Sequence, residues 1–169
     1  MAGKDSGSIE DPHVENGWTL YAHPVFLRDF IELLETVEKD ARVDEHGFQQ
    51  HPSYKLLVKV RDCIKVRIPS DPNHADFRLD DTLGKRHSHW RRAKHGMPQR
   101  YRLFFLFSSV APRSIIYAWF NDESTLRKAG SRSDCYAVFK RMLDKGVIPK
   151  SFDDLKNAAT GITKGVIGE

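Results

Sequence analysis

Apolar and polar positions divide the chain into a helical stretch, a strand-like stretch and a second helical stretch. Pro24 is a favoured first-turn residue. After it, Phe26, Phe30, Leu33, Leu34, Val37 and Ala41 mark one face of a helix expected to end near Gly47. A second helix is expected over residues 52–67, with Leu56, Leu57, Val60, Cys63 and Ile64 inward and Pro69 and Pro72 as its stop. The short link between the two predicts an antiparallel helical pair.

The period then shortens. Residues 100–107 and 113–120 are rich in aromatic and β-branched side chains and bounded by turn residues, so both read as strands. Their apolar ends lack alternation, as expected where both faces of a strand are covered. Residues 90–95 read as a third, polar strand, and the three form an antiparallel meander with turns at 96–99 and 108–112. Asp134, after Ser133, offers an N-cap for a helix over 135–145 that buries Val138, Phe139, Met142 and Leu143 and stops at Gly146. Ser151 with Asp154 is a weak capping box for a short last helix. Residues 1–15 have little to bury and read as a flexible tail, and the last eight as loose. The order ααβββα is an α+β domain with helices packed on a small sheet.

A chain of 169 residues, 40% of them hydrophobic, suits one soluble domain. No apolar run approaches the ~20 residues of a membrane span, and the N-terminus lacks the apolar stretch of a signal peptide. Cys63 and Cys135 have no CxxC spacing, which speaks against a disulfide framework or a structural zinc. The expectation is a cytoplasmic protein with no membrane association. The net charge of +4 says less than its distribution. Residues 82–121 hold eight of the 27 Lys and Arg and none of the 23 Asp and Glu. Such a block inside an otherwise acidic chain is an electrostatic footprint for a polyanion; the plainer alternative is a solvated basic face.

Metal and nucleophile chemistry fit this block poorly. His87, His89 and His95 lie close in sequence, but no Asp, Glu or Cys nearby completes a ligand set, and the surrounding charge repels cations. Two-metal nucleases need clustered carboxylates, and the strands carry none. No GxSxG elbow is present. Cys135 on a helical first turn is a candidate thiolate, with a small buried core residue as its plainer reading. What remains is a basic surface with aromatics, which suits RNA. RNA carries its own nucleophile, the 2′-hydroxyl, and Arg and Lys can stabilise the charge that develops on phosphorus. Strand parity puts Arg92 and Lys94 on one face. A three-residue loop over 97–99 sets Lys94 opposite Arg102. A charged sheet edge that blocks aggregation is the plainer alternative.

The segments NGWTLYAHPVF (16–26), LGKRHSHWRRAKHG (83–96), RYRLFF (100–105) and WFNDESTLRKAGSRSDCYAVFKRML (119–143) resemble the YhaV-type toxins of bacterial type II toxin–antitoxin systems, within the RelE superfamily of ribonuclease toxins. The resemblance spans residues 16–152, leaving 1–15 as a tail and 153–169 as a C-terminal extension. It implies a RelE-like fold: a helical pair packed on a small curved antiparallel sheet, then a C-terminal helix. It implies an endoribonuclease that cleaves mRNA, free or on the ribosome, through a basic cluster and with no cofactor or metal. The family's site positions match Arg92, Lys94, Arg102 and Arg127, and its leaving-group stretch offers Arg132 and Tyr136. Lys85, Arg86, Arg91 and Arg100 are the expected RNA-binding residues around them. It also implies a PrlF-like antitoxin with a swapped-hairpin DNA-binding domain, and operator DNA bound through that antitoxin. The competing readings are a non-catalytic RNA-binding module and a co-repressor subunit that acts only inside the antitoxin complex.

Overall fold

The structure, a computed structural model, describes residues 11–168. The expected tail over residues 1–10 lies outside the described residues. Residues 11–15 do not continue that tail: strand β1 (Val14–Glu15) pairs antiparallel with β2 (Trp18–Ala22), Glu15 opposite Trp18. Asn16 and Gly17 join them with φ of 48° and 79°. Two residues in the left-handed region are what a tight hairpin requires, and Asn-Gly is the favoured pair for it. This hairpin was legible in the sequence and was not among the expected elements.

The helical pair is present as expected. Helix α1 (Pro24–Val43) ends four residues before Gly47, and α2 runs over Pro52–Asp62. Pro69 does not stop the second helix. The chain passes from α2 through a π-helical turn (Cys63–Arg67) into a last α-turn, α3 (Ile68–Ser70), which contains Pro69. A π-turn pairs each N–H with the carbonyl five residues back, and proline has no N–H to give. The carbonyl so orphaned, that of Ile64, accepts instead from the buried Tyr117 hydroxyl at 2.9 Å.

The sheet differs from expectation in hand. The meander is there: β3 (Arg91–Ala93), β4 (Leu103–Ser108) and β5 (Ser114–Phe120) pair antiparallel in sequence order. On its far side β5 pairs parallel with β2, which also carries β1 and β6 (Thr160–Gly161). The sheet is therefore mixed rather than antiparallel, with strand order β1-β2-β5-β4-β3 and β6 beside β2. A bulge on β5 sets Phe104 opposite Trp119 but Phe105 opposite Tyr117. The extra residue, Ala118, breaks the alternation. Trp119 and Ala118 join one core, and Tyr117 and Phe120 the other.

Both faces of the sheet are covered. On one, Phe26, Phe30, Leu57, Val60 and Ile64 of the helical pair pack against Leu20, Leu103, Phe105 and Ile115. On the other, helix α4 (Cys135–Asp144) sets Phe139 and Leu143 against Phe104, Leu106 and Ile116, with Leu79, Leu83 and Trp90 from the preceding loop. Phe139 stacks on Phe104 at 4.1 Å, and Trp90 meets Phe139 edge-on. Trp90 is thus a core residue. Helix α5 (Phe152–Ala158) is capped by Ser151, whose hydroxyl accepts from the Asp154 N–H at 3.2 Å. Residues 162–168 are not loose: β6 leads to α6 (Lys164–Ile167), and Ile162 and Ile167 are buried in the first core. Among the described residues no helix is long and apolar enough to cross a membrane.

Candidate active site at the edge of the sheet

The site forms where edge strand β3 and the start of β4 meet the first turn of α4. Arg92 lies opposite Phe104, so the two share a face. Arg102 precedes β4 by one residue and has the same parity as Phe104. Asp134 caps α4 by accepting the Tyr136 N–H at 3.1 Å, which fixes where Tyr136 leaves the helix. The Tyr136 ring then stands edge-on to Phe104, with centroids 5.7 Å apart. Its hydroxyl meets both arginines. Arg92 Nε and Arg102 Nε each donate to the Tyr136 oxygen at 3.0 Å.

Each guanidinium is held from behind. Arg92 Nη1 donates to the backbone carbonyls of Asp76 and Arg78 at 3.1 and 2.8 Å. Arg102 is 7% exposed, and its Nη1 donates to the Tyr101 carbonyl at 2.9 Å. Its backbone N–H donates to Asn121 Oδ1 at 2.7 Å, while Asn121 Nδ2 donates to the carbonyls of Arg100 and Thr125. Buried Asn121 therefore pins the segment entering β4, a role that sequence reasoning missed. The available signal was a lone amide following an apolar strand. Arg127 Nη1 donates to Asp134 Oδ1 at 2.7 Å, and its guanidinium lies 4.9 Å from the centre of the Tyr136 ring. That bond to the Asp134 carboxylate raises the Arg127 pKa above its ordinary value. Asp134 is thus both N-cap and counter-ion.

The structure brings together four of the expected residues or their supports: Arg92, Arg102, Arg127 and Tyr136. Lys94 and Arg132 are exposed, and among the described residues their side chains make no hydrogen bond to this cluster. For Lys94 the reason is local. The register puts Lys94 in line with Arg102, as expected, but the ladder ends at Ala93–Leu103. Residues 94–102 then form a loop in which Gly96 and Arg100 have φ of 86° and 71°. The expected three-residue turn is a nine-residue loop. Arg100 Nε donates to the Arg127 carbonyl at 3.0 Å, which ties that loop to the segment carrying Arg127. Lys85 and Arg86 are exposed on a short 3₁₀ turn. Arg91 points to the other face, its guanidinium 5.6 Å from the centre of Phe107, and burial with nearby Arg78 lowers its pKa.

Of the remaining candidates, both cysteines and His87 are core groups, whereas His89 and His95 are exposed. Burial pushes the Cys135 thiol up to about 11 and the Cys63 thiol up to about 12, the opposite of an activated thiolate. His87 is buried beside Asp144 at 3.4 Å, and His89 meets the Lys150 carbonyl at 2.7 Å. The described residues contain no group of three His, Cys, Asp or Glu placed to hold a metal ion.

Known proteins give this geometry a setting. A family model described as "Toxin with endonuclease activity, of toxin-antitoxin system" matches residues 20–160, which include every residue of the cluster. The chain is 39% identical over 148 residues to the ribonuclease toxin YhaV of Escherichia coli K12, and equally to the toxin YhaV of Escherichia coli O6:H1 and of O157:H7. Each alignment covers 87% of this chain and 95% of the relative. No solved structure matches. An α+β domain that gathers three arginines around one tyrosine, matched over most of its length by these toxins, belongs to the YhaV family of toxin–antitoxin endonucleases.

Proposed function

We propose that this protein is a metal-independent endoribonuclease that cleaves mRNA by attack of the 2′-hydroxyl on the adjacent phosphorus. One observation carries the reading: the Tyr136 hydroxyl accepts from two guanidinium groups at 3.0 Å each. A phenol oxygen has two acceptor positions and one proton to donate. With both acceptor positions taken by arginines, the proton is left to donate outward. Tyr136 thus protonates the departing 5′-oxygen as the phosphorus–oxygen bond breaks and the 2′-oxygen bond forms. The proton lost by the 2′-hydroxyl passes to water. Remaining N–H groups of Arg92 and Arg102 stabilise the charge on the non-bridging oxygens, the work of an oxyanion hole. Arg127 positions Tyr136 and Asp134. Lys94, Arg132, Lys85, Arg86 and Arg100 contribute phosphate contacts on the approach to the site. Arg91, on the other face, lies outside the site.

The surplus positive charge around Tyr136 supports chemistry that needs no bound cation. A helical pair, a meander and a C-terminal helix suit a RelE-like ancestry. An arginine cluster with Asp134 as its counter-ion still carries surplus positive charge, which also suits an acidic segment of a PrlF-like antitoxin, with operator DNA bound through that partner. The test is cleavage of RNA by the pure protein in EDTA. We expect 2′,3′-cyclic phosphate ends, no cleavage of the matching DNA, and loss of activity in Arg92→Ala. Activity that vanishes in EDTA and returns with magnesium overturns the metal-free mechanism. RNA binding without cleavage favours the non-catalytic module, and neither binding nor cleavage favours the co-repressor subunit.

A further inference from the structure

A cleft of about 290 Å³ lies just around the sheet edge from Tyr136, lined by Val66, Arg67, Ser70, Asp71, His74, Asp76, Phe77 and His95. It is joined to the site through a single group. Arg92 Nε bonds the Tyr136 hydroxyl, and Arg92 Nη1 bonds the backbone carbonyl of Asp76, a residue that lines the cleft. One guanidinium therefore separates the cleaved phosphate from the cleft, and a nucleotide flanking that phosphate reaches it. Resting on the RNA-cleaving reading above, we propose that this cleft is a nucleobase subsite that selects guanine beside the cleaved bond.

The lining carries the argument. Arg67 is an exposed, planar donor whose side chain lies close against Gly96, where a Cβ would collide with its Nε and Cδ. Opposite donor chemistry stands beside it in the carboxylates of Asp71 and Asp76. His74 and His95 add two flat, exposed rings, and an edge-on contact with Phe77 at 6.3 Å steadies His74. Bases splayed from single-stranded RNA are held by such rings and read along their edges. Guanine is the one RNA base that presents two adjacent N–H donors, at N1 and N2, for a single carboxylate. It also presents two acceptors, O6 and N7, for a guanidinium. The cleft offers both partners. Both carboxylates have a neighbour, Asp71 Oδ1 the Asn73 N–H at 3.2 Å and Asp76 Oδ2 the His74 Nδ1 at 3.6 Å, and Asp76 is the one on the segment that Arg92 holds.

The test uses the full chain and a short RNA with one guanine, in which a 2′-deoxy sugar at the cleavage position prevents reaction. Binding is read by fluorescence polarisation, so it does not depend on cleavage. Replacing the guanine by inosine removes only the N2 amine. We expect the wild-type protein to bind the inosine strand about ten-fold more weakly, the scale of one good base contact. In Asp76→Asn the guanine and inosine strands should bind alike, and Arg67→Ala should narrow the preference for guanine over adenine. Cleavage sites mapped on a mixed-sequence RNA should move accordingly, from positions beside guanine to positions without base preference. Equal binding of guanine and inosine strands by wild type overturns the guanine subsite even if RNA is still cleaved. A preference unchanged in both variants also overturns it, and if those variants instead escape the antitoxin, the cleft is a protein-docking site. RNA that binds with the guanine preference but is never cut leaves the subsite standing and removes the catalytic reading.

Discussion

Tyr136→Phe separates the chemistry of the site from its packing. The ring is retained, so its edge-on contact with Phe104 at 5.7 Å is kept. What disappears is one oxygen and two hydrogen bonds from arginines, each 3.0 Å long. Their loss is unequal. Arg102 is 7% exposed, so its Nε is left facing apolar surroundings, and a lost bond to a charged group costs ~1.5–3 kcal/mol. Arg92 is half-buried and still anchored by two carbonyls, so water can replace the phenol at little cost. The sum is ~2–3 kcal/mol, which for a domain of this size lowers the melting temperature by ~4–12 °C. The fold survives, and activity can be measured below that transition. Loss of a general acid lowers cleavage ~10²–10⁴-fold. Single-turnover cleavage of an ordinary RNA reads that loss. A second substrate, with sulfur in place of the 5′-oxygen, reads its cause, because a thiolate leaves without being protonated. Tyr136→Phe should cut the sulfur substrate at close to the wild-type rate. An equal loss on both substrates would mean that Tyr136 only positions the arginines. Full activity on the ordinary RNA would falsify its role altogether.

Arg92→Ala should lower cleavage ~10²-fold or more, while Arg91→Ala, on the other face over Phe107, should stay within a few-fold of wild type in the same assay. Arg102→Ala should also unfold at lower urea, because it empties a buried position and leaves the Tyr101 carbonyl without its donor. Tyr117→Phe orphans the Ile64 carbonyl and should cost ~1–3 kcal/mol in urea titrations with cleavage unchanged at low temperature. His23 gives a pH dependence. Its Nδ1 accepts the Val25 N–H as the N-cap of α1, and burial lowers its pKa below the ordinary 6.5. The unfolded chain therefore takes up the proton first, so stability is full above ~6.5 and falls as the pH drops toward the folded-state value. His23→Asn keeps a capping side chain and should flatten urea midpoints measured from pH 7 to pH 5.

The sequence signals that succeeded were local ones. Helix α4 begins after its Asp134 cap and ends before Gly146, whose φ is 73°, because cap chemistry and a left-handed glycine act within a few residues. The register of β3 against β4 also matches the expectation, although the three-residue turn that suggested it is a nine-residue loop. Two elements were hidden by non-local compensation. A proline ends a helix when its missing N–H leaves a carbonyl stranded. At Pro69 the stranded group is taken by Tyr117, some fifty residues away, and no local pattern announces that. The parallel pairing of β2 with β5 is likewise set by what packs on the sheet, and strand patterns alone do not state which strand lies beside which.

The site shows the same division between residue type and environment. Strand parity correctly put Arg92 and Arg102 on one face, yet that face is no open basic surface. Helix α4 lies across it, and the arginines emerge only at its edge, around the first helical turn. This explains why the basic block separates into groups with different environments. Arg102 spends its charge inside the fold, held by Asn121 and Tyr136, whereas Lys85, Arg86, Lys94 and Arg132 remain solvated. A buried guanidinium is costly unless its donors are paired, and here two acceptors and an anchored backbone pair them. In the proposed reaction the fixed donors need no reorganisation when a phosphate arrives, while the solvated ones are free to follow a flexible backbone. Charge counted along the sequence cannot separate these two kinds of cation, because the difference lies in what α4 covers.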